Sequence, residues 1–517
     1  MRFRYFWLLT ALALAACGTN PVTGKRELQL VPESQEIAIG NEQYAPSRQM
    51  QGGDLVIDPE LTAYINSVGQ KLAAVADRKL PYEFSILNNS VPNAWALPGG
   101  KIALNRGLLA ALRDEAELAA VLGHEITHAA AGHGRQAMQR GLLLQAAAIG
   151  LQLGVQDNRY SNLIVGGATL GANLITQKYT RDAEREADHY GMQYMKRAGY
   201  DPVAAVELQR IFVALQEGKK TGWLEGMFAS HPPSEERVLN NQQTAAALGA
   251  GGELGREQFD RALAALRRRE PAYQKYDEGV AALVKGDGAT AQARAREALA
   301  IEPQESKFHE LLGDIEMSRK NYPAAIRDLE KARALNPGYF KPYLVAGLAN
   351  YELHDTQKAA ELLNRSMEIL PTATGSYYLA RLAQSSGNVD EAVKYFQMAA
   401  ASDSDIGQAS ARELAQLDLP RNPGRYVQVE PRVDSQGRVW LLVANRSPVA
   451  VGGVVIVTAL ADPNGAGYTQ GPLQVGTANA VIQPGQAVQL PTPLGPLADA
   501  RYLQLVKVQV QTARVAQ

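Results

Sequence analysis

Between Ala291 and Pro371 the chain repeats itself every 34 residues. Ala291, Ala325 and Ala359 keep that interval, Pro303, Pro337 and Pro371 keep it too, and Gly313 and Gly347 fall in step. A unit of this length, with small residues at fixed positions and a proline closing each round, fits a pair of helices that cannot bury its apolar face alone. Stacked neighbours must complete the core. About three to four units across residues 271–416 predict an α-solenoid whose concave groove binds a partner and holds no active site of its own. His309 and His354 within it are read as packing or surface histidines.

Chemistry is concentrated elsewhere, in Val121-Leu-Gly-His-Glu-Ile-Thr-His128. On a helix His124 and His128 lie one turn apart and about 40° around, so both imidazoles can reach one ion, while Glu125 sits about 100° away, within reach of a water beside that ion. Zinc held by neutral imidazoles polarises a carbonyl and activates water, and an adjacent carboxylate can carry the proton. The segment Tyr179–His189 lacks Gly and Pro and reads as a second helix, with Glu184 and Asp188 again four apart. One carboxylate can bind the ion while the other supports a ligand histidine from behind; the competing reading is an ordinary charged face among Arg181, Asp182 and Arg185. The spacing of the metzincins, a different zinc class, would need Gly at 131 and His at 134, where Ala131 and Gly134 stand. His133, about 180° from His124 if the helix continues, is expected to point away and serve structure.

These motifs resemble the gluzincin zinc metallopeptidase family of HtpX, the CAAX prenyl proteases and the beta-barrel assembly-enhancing protease. The resemblance spans roughly residues 30–240 and implies one Zn²⁺ per chain, with Glu184 as third ligand beside His124 and His128, Glu125 as the catalytic base, and Asp188 as the supporting carboxylate. Asn93-Ala-Trp-Ala96 opens a segment, running to Leu104, that is similar to the family's strand beside the active site. An extended substrate would add to it by β-augmentation. His231-Pro-Pro-Ser-Glu-Glu-Arg237 is similar to a late family element; the two prolines hold its backbone out of a helix. His231 is expected to be a fourth ligand that gates the site, or, with Arg237, a stabiliser of the oxyanion. The 34-residue units in turn resemble tetratricopeptide repeats.

Location follows from the start of the chain. Arg2 and Arg4 precede an apolar run, Tyr5 to Ala16, too short to span a bilayer, and Leu14-Ala-Ala-Cys17 resembles a bacterial lipobox. Residues 1–16 are thus expected to be a signal peptide, with lipid on Cys17, the only cysteine. Gly18 after it favours the outer membrane of a Gram-negative type bacterium. With 52 basic against 53 acidic residues, nothing recommends nucleic acid as a partner. Leu142 to Ile175, apolar but broken by Gln145, Gln152, Asp157, Asn158 and Arg159, reads as a mobile flap over the cleft.

Locally, Asp114 and Glu117 are a capping-box-like start for the metal-binding helix, and Phe84–Leu87 and Lys101–Leu104 are candidate strands against it. After Pro423 the composition turns to Val, Gln, Gly and Pro, with apolar–polar alternation in Arg438–Val443 and Val506–Gln511, which suggests a small β-sandwich. The expected organisation is multidomain: signal peptide 1–16, lipidated linker 17–30, a mainly α metallopeptidase domain with a small sheet at 31–260, repeats at 271–416, and a β-sandwich at 424–517. The expected function is a periplasmic zinc endopeptidase, lipid-anchored to the membrane, that cleaves unfolded or misassembled envelope proteins, with outer-membrane assembly machinery as a partner for the repeat groove. An assembly chaperone or scaffold with a mostly latent peptidase is the alternative.

Overall fold

The computed structural model describes residues 17–141, 178–217, 231–463, 467–477 and 480–516. The expected signal peptide and the expected flap at 142–175 lie outside the described residues. The chain divides into two compact units, residues 1–353 and 354–517.

In the first unit, α1 (Glu33–Met50) and α2 (Pro59–Ala73) precede a three-stranded sheet of β3 (Glu83–Leu87), β4 (Ala94–Leu97) and β5 (Lys101–Asn105). The expected strands fall within β3 and β5, which pair in parallel, while β4 pairs antiparallel with β5 and forms an edge of the sheet. After the short α3 (Arg106–Ala111) comes α4 (Glu115–Ala130), which carries His124, Glu125 and His128. The Asp114 carboxylate accepts from the Glu117 backbone N–H at 3.0 Å, and Glu117 accepts in return from the N–H of Arg113 at 2.7 Å, one residue before the cap. Leu118, Val121, Leu122, Ile126 and Ala129 are buried as expected, as is every other residue of α4 except His124, which is mostly covered but keeps an edge exposed. A helix apolar on nearly every side belongs in a core, and this one lies between α2, the sheet and α5 (Arg181–Arg197).

The core cluster also takes in α6 (Val203–Glu217), α7 (Glu235–Leu248) and the 29-residue helix α8 (Arg256–Val284). Residues 261–270, which separate the expected peptidase and repeat segments, run through the middle of α8. Arg269, within that stretch, pairs with Asp58 and Glu302 at 2.9 Å each. Phe259, Leu263 and Leu266 from one half of α8, and Tyr273 from the other, enter the same core as α4. Helices α9 (Gly288–Ile301), α10 (Ser306–Ser318), α11 (Tyr322–Leu335) and α12 (Phe340–Glu352) complete this unit. Ala291 and Ala325 are fully buried at helix contacts, as their period requires. Residues 17–30 are not a free linker. β1 (Cys17–Thr19) pairs with β2 (Arg26–Leu28), Asn20 donates to the carbonyl of Ala131 at 2.9 Å, and Glu27 pairs with Arg135 at 2.7 Å.

The second unit continues the helical pattern with α13 (Thr356–Ile369), α14 (Ala373–Ser385), α15 (Val389–Ala400) and α16 (Asp405–Asp418). Its strands β6 (Val427–Val433), β7 (Val439–Asn445) and β10 (Ala487–Pro491) form one antiparallel sheet; β8 (Val451–Ala461), β9 (Tyr468–Gly476) and β11 (Val506–Val515) form another. Val427, Leu441 and Val443 of the first share an apolar cluster with Val451, Ile456 and Ala513 of the second. Among the described residues no helix is long and apolar enough to cross a membrane.

Candidate active site

Helices α4 and α5 cross at two glycines. A Cβ on Gly123 would lie 2.8 Å from the carbonyl oxygen of Gly191, and one on Gly191 would lie 2.9 Å from the backbone nitrogen of His124. Only hydrogen fits there, and the close approach brings the acidic pair on α5 to the histidine pair on α4. His124 Nε2 and His128 Nε2 face each other at 3.0 Å. Glu184 places Oε2 3.5 Å from the first and Oε1 3.4 Å from the second. His231, on the segment before α7, brings Nδ1 to 2.9 Å from Glu184 Oε1 and 3.3 Å from His124 Nε2. One ligand atom from each of these four residues lies within 4.8 Å of all the others.

This group fits a metal ion by its chemistry as well as its size. Each paired imidazole is engaged at Nδ1 from outside, which leaves Nε2 turned inward with its lone pair. Glu125 Oε2 is buried without a hydrogen-bond partner, a costly state that a water on the cation would relieve, and Glu184 Oε2 is buried with only ion-pair contacts to Arg237 and His124. His231 Nε2 lies 3.7 Å from Glu125 Oε1.

Around the cluster the charges are braced. Asp188 Oδ1 accepts from His124 Nδ1 at 2.9 Å. Arg237 grips Asp188 with two bonds of 2.7 Å and reaches Glu184 Oε2 at 3.0 Å, so its guanidinium is occupied by the two carboxylates instead of being offered to an oxyanion. Burial works against ionising Asp188 and Glu184, yet both are held below their ordinary values, Asp188 chiefly by Arg237 and Glu184 chiefly by His231 and His124. Burial likewise opposes charge on His124, but Asp188 and Glu184 outweigh it and raise its pKa to about 10. His128 is driven well below its usual value by burial, which keeps it neutral, and burial pushes Glu125 upward, toward the range of a proton carrier.

His133 departs from expectation. The helix stops at Ala130, and Gly132, at φ +67°, turns the chain before a new helical stretch starts at residue 133. The imidazole therefore swings back, with Nδ1 2.9 Å from His128 Nδ1 and Nε2 3.3 Å from Glu186. Lys25 of the N-terminal hairpin reaches Glu186 at 2.6 Å. Neither Glu186 nor Tyr179, whose ring stacks 3.9 Å from that of His128, was expected at the site. A histidine five residues past His128 and an acid two past Glu184 were the available signals. Of the strand residues, Ala94 borders the same cavity as His124 and Glu125. Trp95 projects from the opposite face, as strand alternation demands, and meets Tyr44 edge-on with ring centroids 6.0 Å apart. Asn93 and Ala96 are buried beside them.

The model of peptidase family M48 matches residues 59–245. The beta-barrel assembly-enhancing protease of Escherichia coli K12 is 29% identical over 350 residues, 62% of this chain and 71% of that one. Metalloprotease YcaL of the same bacterium is 33% identical over 178 residues, 33% of this chain and 67% of that one. Among solved structures, the MamA protein is similar at 22% identity and a TM-score of 0.26, over 29% of this chain and 81% of that one.

Proposed function

This chain belongs to peptidase family M48 and is a metallopeptidase, and from that premise we propose that it is a periplasmic zinc endopeptidase, anchored through lipid on Cys17 to the outer membrane, that cleaves unfolded or misassembled envelope proteins. The observation that carries the catalytic part is the buried convergence of His124, His128 and Glu184 beside the unpartnered oxygen of Glu125. Two imidazoles and a carboxylate are a donor set suited to zinc, which when bound supplies a Lewis acid for the scissile carbonyl and acidifies a water. Glu125 takes a proton from the attacking water and returns it to the leaving amine nitrogen. Asp188 and His133 hold the two imidazoles in the required tautomers. The edge strand β4 is our site for an extended substrate, and its backbone rather than Trp95 does the pairing.

The relatives named beta-barrel assembly-enhancing protease support placing the substrates and partners among proteins of outer-membrane assembly, presented by the repeat groove. We take the peptidase segment as 31–260, the repeats as 271–416 and the two C-terminal sheets as a small β-sandwich at 424–517, with no nucleic-acid role. His231 favours the second reading, a chaperone or scaffold whose peptidase rests in a latent state, because its ring is packed against Glu184 and near Glu125. Both are tested together on the mature protein. Glu125→Gln should retain one zinc by elemental analysis and lose cleavage of an unfolded protein by about 10²–10⁴-fold. His231→Ala should keep zinc and cleave faster if the histidine gates, or far more slowly if it stabilises the oxyanion. Rescue of envelope assembly by Glu125→Gln as good as by wild type would favour the scaffold.

A further inference from the structure

Of the edge strands in the two C-terminal sheets, three are blunted. β6 carries Glu430, Pro431 and Arg432 in succession, β9 contains Pro472 and slips its register against β8, and β10 is five residues long and ends in Pro491. Proline, charge and irregular pairing are common protections of an edge, whose outward N–H and C=O groups would otherwise pair with a passing strand. β11 differs. From Val506 to Val510 it pairs with β8 in unbroken register, and its register shifts come only after Val510. Lys507 is the one charge in that stretch, and it is exposed at its start. Among the described residues, β6 is hydrogen-bonded only to β7 and β11 only to β8, so each leaves one edge unpaired.

β11 and the start of β6 flank a groove of about 1040 Å³ that opens to solvent, bordered where β6 begins by the turn at residues 421–425. Its floor is apolar: Val427 is buried in the cluster that both sheets share, and Val429, Val508 and Val510 are half-buried against that cluster. The neighbouring Gln428 and Gln509 are exposed, so each strand turns valine inward and glutamine outward. Arg421 meets Asp390 at 2.6 Å and Arg425 meets Asp418 at 3.2 Å, so the cations at the rim already have carboxylates and select no charged guest. An extended segment supplies what is missing: apolar side chains for the valines, polar ones beside the glutamines, and a backbone for the free edge. A single segment fits between these walls, whereas the same edge of a second copy brings its own walls with it. We propose that the edge of β11, over Val508 to Val510, takes up as an added strand an extended segment of another protein that alternates apolar and polar residues, with Val427 and Val429 of β6 under its apolar side. Segments of that pattern are what a β-sheet protein exposes before its own sheet has closed. Such binding draws nothing from the peptidase chemistry.

The test uses full-length Glu125→Gln protein, so that the probe is not consumed. The probe is a fluorescent peptide of about ten residues in which valine alternates with serine and lysine, and its control has the same composition with the valines in one block. Binding is read by fluorescence anisotropy and located by amide hydrogen exchange. The alternating peptide should bind at least about tenfold more tightly than the control and slow exchange at residues 427–429 and 506–511. N-methyl groups on one set of alternate probe residues should weaken binding by about tenfold or more, and the same groups on the intervening residues should do little, because only one edge of an added strand meets β11. Val510→Lys and Val429→Lys, which set a charge into the groove from either wall, should each weaken the probe by about tenfold, while Gln489→Lys on β10 should not. Equal binding of alternating and block peptides would overturn the proposal, as would equal effects of the two methylation patterns or slowed exchange confined to β4. Unchanged binding in both groove variants, at wild-type melting temperature, would overturn it as well. A dimer in sedimentation equilibrium that Val510→Lys disperses and the peptide leaves intact would give the edge to a second copy of this chain instead.

Discussion

His128 can keep Nε2 for a metal because the proton on its Nδ1 has somewhere to go. At 2.9 Å the Nδ1 of His133 accepts it, and His133 in turn donates from Nε2 to Glu186 at 3.3 Å. A carboxylate and a second histidine thus fix the ring and tautomer of a ligand they never share with the ion. Removing either should lower zinc affinity by about 10–100-fold, measured by competition with a chromogenic chelator, without abolishing folding. His133→Gln, which retains an acceptor, should recover part of the loss. Wild-type affinity in both His133→Ala and Glu186→Gln would show that His128 needs no such support. Lys25 is mostly exposed, and its pair with Glu186 should add little to the effect.

The elements meet where their side chains are smallest. Gly123→Ala would set a methyl group 2.8 Å from the backbone oxygen of Gly191, and neither backbone can yield without moving its helix. A cost of about 1–3 kcal/mol is expected, seen as a lower melting temperature, together with weakened zinc binding because Glu184 retreats with α5. A variant with unaltered stability and affinity would mean that the crossing has slack. This contact also marks where sequence reasoning ends. The pairs His124/His128 and Glu184/Asp188 are legible because helical period alone puts members of each on one face. That α4 and α5 should cross at Gly123 and Gly191 is a tertiary fact, and no periodicity announces it. His133 was misplaced because the helix was extended through Gly132, and Trp95 was placed at the site because a motif names consecutive residues while a strand turns them to opposite faces. The repeat helices were the most legible part, since each unit's boundaries recur.

Across the first unit, the core that surrounds the catalytic helix does not end where the peptidase motifs end. Tyr273 takes the Arg106 guanidinium on its ring face at 3.4 Å and donates its hydroxyl to Glu305 at 2.6 Å, while Leu263, Leu266 and Phe308 are buried in the same cluster. Each large apolar side chain withdrawn would cost about 1.5–3 kcal/mol, a heavy subtraction from the 5–15 kcal/mol that typically holds a domain together. A chain ended at residue 260 should therefore show no cooperative calorimetric transition, whereas one ended at residue 353 should. A sharp melt from the shorter chain would make the repeats dispensable for folding. At the opposite end of the unit, Asn20 holds the carbonyl of Ala131, just past the metal-binding helix, at 2.9 Å. Under the lipid anchor on Cys17 proposed above, the leash from acyl chain to that bond would be three residues, at most roughly 10 Å when fully extended. An enzyme held so would search in two dimensions: it would sweep a thin layer against the bilayer, and a client would have to come to that layer to be cut.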